Sequence, residues 1–167
     1  DAALVGWCFA YGFHVCGLYW LREAFLVTGG RLAMLWPLGV LGLPAVLAIY
    51  HGLAAMFAAR FGKQGMPRVI ALAVGLGLSE WLRGHAFTGF PWNLAAYAWT
   101  DVPGALRLSA WIGAWGVSYL VVFASLGIAR GIATRRWQTA AFALLLPAIL
   151  LPIGGRWADR SPREVTW

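Results

Sequence analysis

The feature that most constrains the fold is a set of long apolar runs, the first of which covers residues 2–21 without a charged side chain. A run of about 20 residues is the length that an α-helix needs to cross the ~30 Å hydrocarbon core of a bilayer. Of the whole chain, 61% is hydrophobic and 11% is charged, whereas a typical soluble domain is about 25% charged. The sequence therefore predicts an all-α membrane protein.

Five runs are expected to span the membrane, which makes the predicted fold a polytopic transmembrane helical bundle. They cover residues 2–21, 33–59, 69–81, 106–129 and 137–153. The second run contains Pro37 and Pro44, which membrane helices tolerate when neighbours satisfy the freed carbonyls. The third run is short for a span unless Arg83 extends its charge toward the headgroups.

Basic residues between the runs predict which side of the membrane each loop occupies. Two loops carry three basic residues each and no acid: Arg60, Lys63 and Arg68 in one, and Arg130, Arg135 and Arg136 in the other. Loops rich in Lys and Arg stay in the cytoplasm. The N-terminus is therefore expected in the cytoplasm, and segment 80–99 and the C-terminus on the outer face, which is the periplasm in a bacterium.

The net charge of +7 does not indicate nucleic acid, because the basic residues lie in short clusters between apolar runs. Cys8 and Cys16 are interpreted as small apolar filler, eight residues apart on one helix and unable to form a disulfide. His14 and His51 are interpreted as packed side chains and not as metal ligands, because no second ligand stands at helical spacing. No cofactor and no metal are predicted.

Charge, glycine, proline and aromatic residues crowd together in one place, segment 79–99. Glu80 and Arg83 stand three apart, so on a helix they share a face and can form an ion pair. Gly84 is expected to end that helix, because a residue without Cβ adopts the left-handed cap conformation at low cost. Pro91 removes a backbone donor and favours an extended residue before it, which predicts a shaped loop. The aromatic residues of this loop are expected at the headgroup level: Phe90, Trp92, Tyr97 and Trp99.

Two charged side chains of this segment leave alternatives open. Glu80 is interpreted first as the partner of Arg83 that holds the helix end, and second as a group that orients the loop or binds a lipid headgroup. Arg83 is suited to a phosphate, which a guanidinium binds through two parallel hydrogen bonds. The outward-facing residues offer no Ser/His/Asp set, no Cys/His pair and no phosphate-cradling glycine loop. The residues alone thus predict a membrane domain without chemistry of its own.

The sequence Glu80-Trp-Leu-Arg-Gly84 followed by Thr88-Gly-Phe-Pro-Trp92 resembles the signature of the bacterial apolipoprotein N-acyltransferase family. The run from Gly12 to Trp20 is similar to the aromatic third membrane helix of that family. Tyr97 and the turn at residues 101–103 also fit the stretch that follows the signature. The resemblance covers nearly the whole chain.

This resemblance implies an acyltransferase of the bacterial inner membrane that serves lipoprotein maturation. Such an enzyme takes an acyl chain from a membrane phospholipid, holds it as a thioester on a cysteine, and passes it to the N-terminal amine of a diacylglyceryl apolipoprotein. The family's Glu-Lys-Cys triad lies in a periplasmic nitrilase-like domain. The resemblance therefore implies a transmembrane domain over residues 1–155 and the start of a truncated nitrilase-like domain at 156–167. It also implies that this segment holds no catalytic residue and is inactive alone.

A lipid-binding role is predicted for the residues of the signature and their aromatic neighbours. The candidates are Trp20, Glu80, Arg83, Gly89, Phe90, Pro91, Trp92 and Tyr97. Phe90 and Trp92 are expected to line an entry from the outer leaflet, with Arg83 at the phosphate. The competing hypothesis is a non-enzymatic scaffold or a small transporter. Transporters place polar groups at mid-span, whereas here the polar groups gather at the outer end.

Overall fold

The computed structural model describes residues 1–87 and 89–158, and within these residues the regular structure is helical throughout. The prediction of an all-α fold is confirmed for this part of the chain. The helices are α1 (Ala2–Gly17), α2 (Leu21–Thr28), α3 (Gly30–Ala33), α4 (Leu43–Phe61), α5 (Met66–His85), α6 (Ala105–Thr134) and α7 (Trp137–Ala158). They form two compact units, one up to Asn93 and one from Leu94 onward.

In the first unit, α4 packs against both α1 and α5. Small residues let the backbones approach closely, as is common between membrane helices. A Cβ atom added to Gly52 would lie 3.0 Å from the Ala3 carbonyl oxygen, and one added to Gly75 would lie 3.3 Å from the Ala54 Cα. At both positions the absence of a side chain lets neighbouring helices approach closely.

The second predicted span is realised as a helix with an irregular start. Residues Leu38–Gly42 form a π-helical turn between Pro37 and α4, whose second residue is Pro44. Proline cannot donate the i→i−4 hydrogen bond of an α-helix. The backbone next to it forms a wider π-helical turn instead. The resulting apolar helical stretch, Leu38–Phe61, is 24 residues long and suffices to cross a membrane.

By length and composition, three stretches within the described residues can span a membrane: Leu38–Phe61, Ala105–Thr134 and Trp137–Gly154. A fourth span results if α1 and α2, bent by 50° at the break between them, form one broken span. The third predicted span is a helix, α5, but it carries Arg68, Glu80 and Arg83 and is less apolar than these four. The predicted number of five spans is therefore not confirmed, because α5 is not among the helices apolar enough to span a membrane.

The second unit contains α6, α7 and a 3₁₀ turn at Ala95–Trp99. Gly113 interrupts α6 with a non-helical backbone, φ 72° and ψ 169°. The predicted fourth span, residues 106–129, lies within α6, and the extended backbone of Gly113 interrupts the helical period there. Helix α7 continues to Ala158, into the segment assigned to a nitrilase-like domain. The remainder of that segment, residues 159–167, lies outside the described residues.

Candidate functional site

The signature segment begins at the end of α5. The helix continues to His85, and the Ala86 N–H donates to the Leu82 carbonyl at 2.6 Å before the backbone becomes extended. Gly84 is therefore not the helix stop, contrary to the prediction. The left-handed residues come later, at Phe87 with φ 56° and at Gly89 with φ 76°. The chain reverses after the helix has ended, so the conformational freedom of glycine is needed at Gly89.

Gly89 lies directly over the last turn of α5. A Cβ atom at this position would be 2.5 Å from the Gly84 carbonyl oxygen. The Gly89 N–H donates to the Ala86 carbonyl at 2.9 Å, and the Phe90 N–H donates to the Arg83 carbonyl at 2.7 Å. The loop thus folds back onto the helix, and both the positive φ and the close approach require glycine.

Arg83 holds the loop that follows α5 through hydrogen bonds to the loop's backbone carbonyls. Its side chain is 2% exposed, and its Nη1 donates to the backbone carbonyls of Phe90, at 3.0 Å, and of Trp92. Its Nη2 donates to the Asn93 carbonyl at 3.4 Å. The guanidinium predicted to meet a phosphate is therefore enclosed by protein and directed at loop carbonyls. Its position makes it the residue that shapes the loop.

Glu80 and Arg83 occupy the same buried face of α5, as their spacing predicts. Glu80 is 4% exposed, and the neighbouring Ser79 is also buried and donates its hydroxyl to the Leu76 carbonyl at 2.8 Å. A carboxylate and a guanidinium this deeply buried have to be satisfied by polar groups inside the protein. The proposed ion pair between them stays a prediction.

An aromatic contact joins the loop to the end of α1. The rings of Trp20 and Trp92 are 5.5 Å apart between centroids and tilted by 57°. Both are about half exposed, at 46% and 52%, and Pro91 between the loop's aromatic residues is also exposed. We call Trp20 together with residues 89–93 the loop site. The structure thus brings two candidates together that are far apart in the sequence.

Two residues that were not among the predicted site residues make this contact possible: Gly17 and Asn93. Asn93 has φ 55°, and its side chain packs directly onto the last residue of α1: a Cβ atom at Gly17 would lie 2.7 Å from the Asn93 Cγ. Asparagine tolerates the left-handed region better than most residues. That tolerance and the glycine shortly before Trp20 are the two sequence signals for this contact.

Tyr97, the remaining candidate, belongs to the second unit. It lies in the 3₁₀ turn and is 53% exposed. It lines an open cavity of about 200 Å³ together with Trp99, Leu106 and Val117. The Ser118 hydroxyl in this unit accepts a hydrogen bond from the Ala96 N–H at 2.9 Å and so holds the turn. Thr88, which belongs to the signature, lies outside the described residues.

Comparison with known sequences gives a consistent assignment. Residues 1–127 match the sequence profile described as "Apolipoprotein N-acyltransferase N-terminal domain". Among curated relatives, an apolipoprotein N-acyltransferase of Brucella suis is 49% identical over 122 residues, covering 73% of this chain and 23% of the relative. The corresponding protein of Rhizobium etli is 44% identical over 167 residues, covering 97% of this chain and 30% of the relative.

A third relative, the apolipoprotein N-acyltransferase of Rhodopseudomonas palustris, is 40% identical over 169 residues and covers 98% of this chain. The match extends over 32% of that protein. The chain thus spans about a quarter to a third of the length of the curated relatives it matches. The residues of the loop site lie within the part of the chain that matches the N-terminal domain profile.

Proposed function

The chain belongs to the apolipoprotein N-acyltransferase family, and on this premise we propose that it forms the membrane part of an enzyme that matures bacterial lipoproteins. The enzyme transfers a fatty acyl chain from a membrane phospholipid to the N-terminal amine of a diacylglyceryl-cysteine apolipoprotein. The acyl chain is carried as a thioester on a cysteine of a nitrilase-like domain beyond these residues. The membrane part presents the phospholipid to that cysteine.

One observation carries the proposal: a buried arginine holds an exposed aromatic loop in a defined shape. Arg83 donates to three successive parts of the loop, and Trp92 lies half exposed against Trp20. Indole rings favour the boundary between headgroups and acyl chains. A rigid aromatic edge at that level suits a site that separates one phospholipid from the bilayer and orients its ester.

The roles within the loop site follow from exposure and hydrogen bonding. Phe90, Pro91 and Trp92 contact the acyl chain and glycerol region of the phospholipid, and Trp20 completes this surface. Gly89 and the buried pair of Glu80 and Arg83 fix the loop, so that Arg83 acts on the lipid through the loop. Tyr97 of the second unit is exposed and is a separate candidate for lipid contact. No cofactor is needed for acyl transfer through a thioester.

The arrangement in the membrane is part of the proposal. The N-terminus lies in the cytoplasm, α5 crosses the inner membrane as a fifth span, and the loop site and the C-terminal segment lie on the periplasmic side. The burial of Glu80 and Arg83 inside the first unit supports a spanning α5, because a charged helix can cross hydrocarbon when neighbouring helices cover its charges. The two basic loops, around Lys63 and Arg135, both fall on the cytoplasmic side in this arrangement, which supports the orientation.

The proposal is tested with the full-length Rhizobium etli relative in which residues 1–167 of this chain replace the matching segment. The measurement is the yield of acyl-enzyme thioester from a phospholipid with a labelled acyl chain. Trp92→Ala is expected to lose most of this yield while the protein stays folded. Phe87→Ala is the matched control, because Phe87 is fully exposed and lies in the same loop outside the loop site. An unchanged yield with Trp92→Ala would contradict the proposal and favour a scaffold.

A further inference from the structure

Two histidines face each other in the interior of the first unit, away from the loop site. His14 of α1 and His51 of α4 are in edge-to-face contact, with ring centroids 5.3 Å apart and planes at 84°. His14 is fully buried and His51 is 9% exposed. The two rings therefore form a polar contact between packed helices of a largely apolar chain.

Three of the four ring nitrogens of this pair have no hydrogen-bond partner among the residues that the structure describes. This holds for Nδ1 and Nε2 of His14 and for Nδ1 of His51. Buried polar side-chain atoms are in most cases paired with protein or with ordered water, because an unpaired one loses its hydration without compensation. Three such nitrogens at one contact between two rings point to a small ligand.

The chemistry of the pair selects the kind of ligand. A neutral imidazole offers one N–H donor and one acceptor lone pair, so the pair offers both kinds. A metal ion does not fit, since the described residues contain no group of three His, Cys, Asp or Glu able to hold one. A small neutral molecule that both donates and accepts a hydrogen bond matches this set of donors and acceptors.

We propose that His14 and His51 form a buried water-binding site between α1 and α4. A water molecule both donates and accepts, and two to four polar partners suffice to hold it inside a protein. Bound at the polar edges of the two rings, water satisfies nitrogens from both helices and links them through hydrogen bonds that apolar side chains cannot make. This site does not depend on the proposed acyl transfer and exists whether or not the loop site binds lipid.

Water-edited solid-state NMR tests the site on the chain in lipid bilayers, with ¹⁵N-labelled histidine. The chain contains three histidines, so the spectrum is simple, and the exposed His85 provides the internal positive control. His85→Gln assigns the control signal by removing it. The expected result is transfer of water polarisation to the ring nitrogens of His14 and His51. Transfer to His85 alone, or to only one of the two buried rings, would overturn the proposal.

A second measurement asks whether the two rings share one site. His51→Phe is expected to abolish most of the water transfer to His14, because one wall of the site is lost. Ile49→Phe is the matched control, since it adds the same ring to the same helix at an exposed position. Full water transfer to His14 in His51→Phe would overturn the shared site. The measurement on the unsubstituted chain decides the question if that variant does not fold.

Discussion

The guanidinium of Arg83 donates a hydrogen bond to the backbone carbonyl of Trp92, nine residues further along the chain. Further bonds to the carbonyls of Phe90 and Asn93 make Arg83 the common donor of the loop. Since a loop of this kind lacks regular backbone pairing, a single buried cation takes the place of several backbone donors. The position of the exposed Trp92 ring therefore depends on a side chain that is itself hidden.

Arg83→Gln is expected to destabilise the chain, because it leaves buried loop carbonyls without their charged donor. The loss of one such partner costs about 1–3 kcal/mol, so the free energy of unfolding is expected to fall by at least that amount. Unfolding in bilayer nanodiscs followed by circular dichroism measures the change. Arg31→Gln serves as the control, because Arg31 is exposed. Equal stability of the two variants would show that Arg83 does not hold the loop.

Gly17→Ala is expected to push the loop away from the end of α1, because the added Cβ overlaps the Asn93 side chain. Overpacking of this kind costs about 1–3 kcal/mol. Gly12→Ala on the same helix has nothing within 4 Å of the new atom and should be close to neutral. Thermal unfolding of both variants compares them. If Gly17→Ala is as stable as Gly12→Ala, Asn93 does not dock as described.

Gly89→Ala is expected to cost more than Gly29→Ala, although both positions have a similar positive φ of 76° and 70°. A non-glycine residue held at an unfavourable positive φ costs about 1–3 kcal/mol, and both variants bear a cost of this kind. Only at Gly89 does the new Cβ also meet a backbone oxygen, whereas Gly29 has open space. The difference between the two unfolding free energies isolates the steric effect. A difference of zero would contradict the close approach of the loop to α5.

The apolar runs and the position of the loop could be predicted from the sequence, because length, hydropathy and Pro91 act locally. The details of the turn could not. Gly84 and Gly89 are equally suitable cap residues by type, and only the contacts of Phe90 with Arg83 decide where the chain reverses. The meeting of Trp20 with Trp92 depends on how α1 and α5 pack through α4, which no local pattern encodes. The break at Gly113 likewise has no neighbouring proline that would predict it.

The burial of Arg83 shows a further limit of local reasoning. A guanidinium at a helix end near the headgroups suits a phosphate by residue type, and the sequence offers no means of counting the carbonyls that surround it. In the structure its donors are directed at the loop carbonyls, and we propose that Arg83 positions the loop. His14 and His51 also show this limit of local reasoning. They are 37 positions apart in the sequence, and their contact arises only from helix packing.

Cysteine labelling tests whether α5 crosses the membrane. In a chain whose Cys8 and Cys16 are replaced by alanine, Lys63→Cys and Trp92→Cys place one thiol at each end of α5. A membrane-impermeant maleimide added to intact spheroplasts is expected to label the second variant and not the first, because the loop with Lys63 is predicted to be cytoplasmic. Labelling of both variants from outside would contradict a membrane-spanning α5.

The most direct test of the loop site is a double-mutant cycle on acyl-enzyme formation in the grafted full-length enzyme. If Trp20 and Trp92 form one lipid-binding surface, Trp20→Ala and Trp92→Ala each reduce the thioester yield, and the double variant loses little more than either single one. Independent contributions would multiply instead. The account predicts strong non-additivity, and it is contradicted if the two effects multiply or if neither substitution lowers the yield.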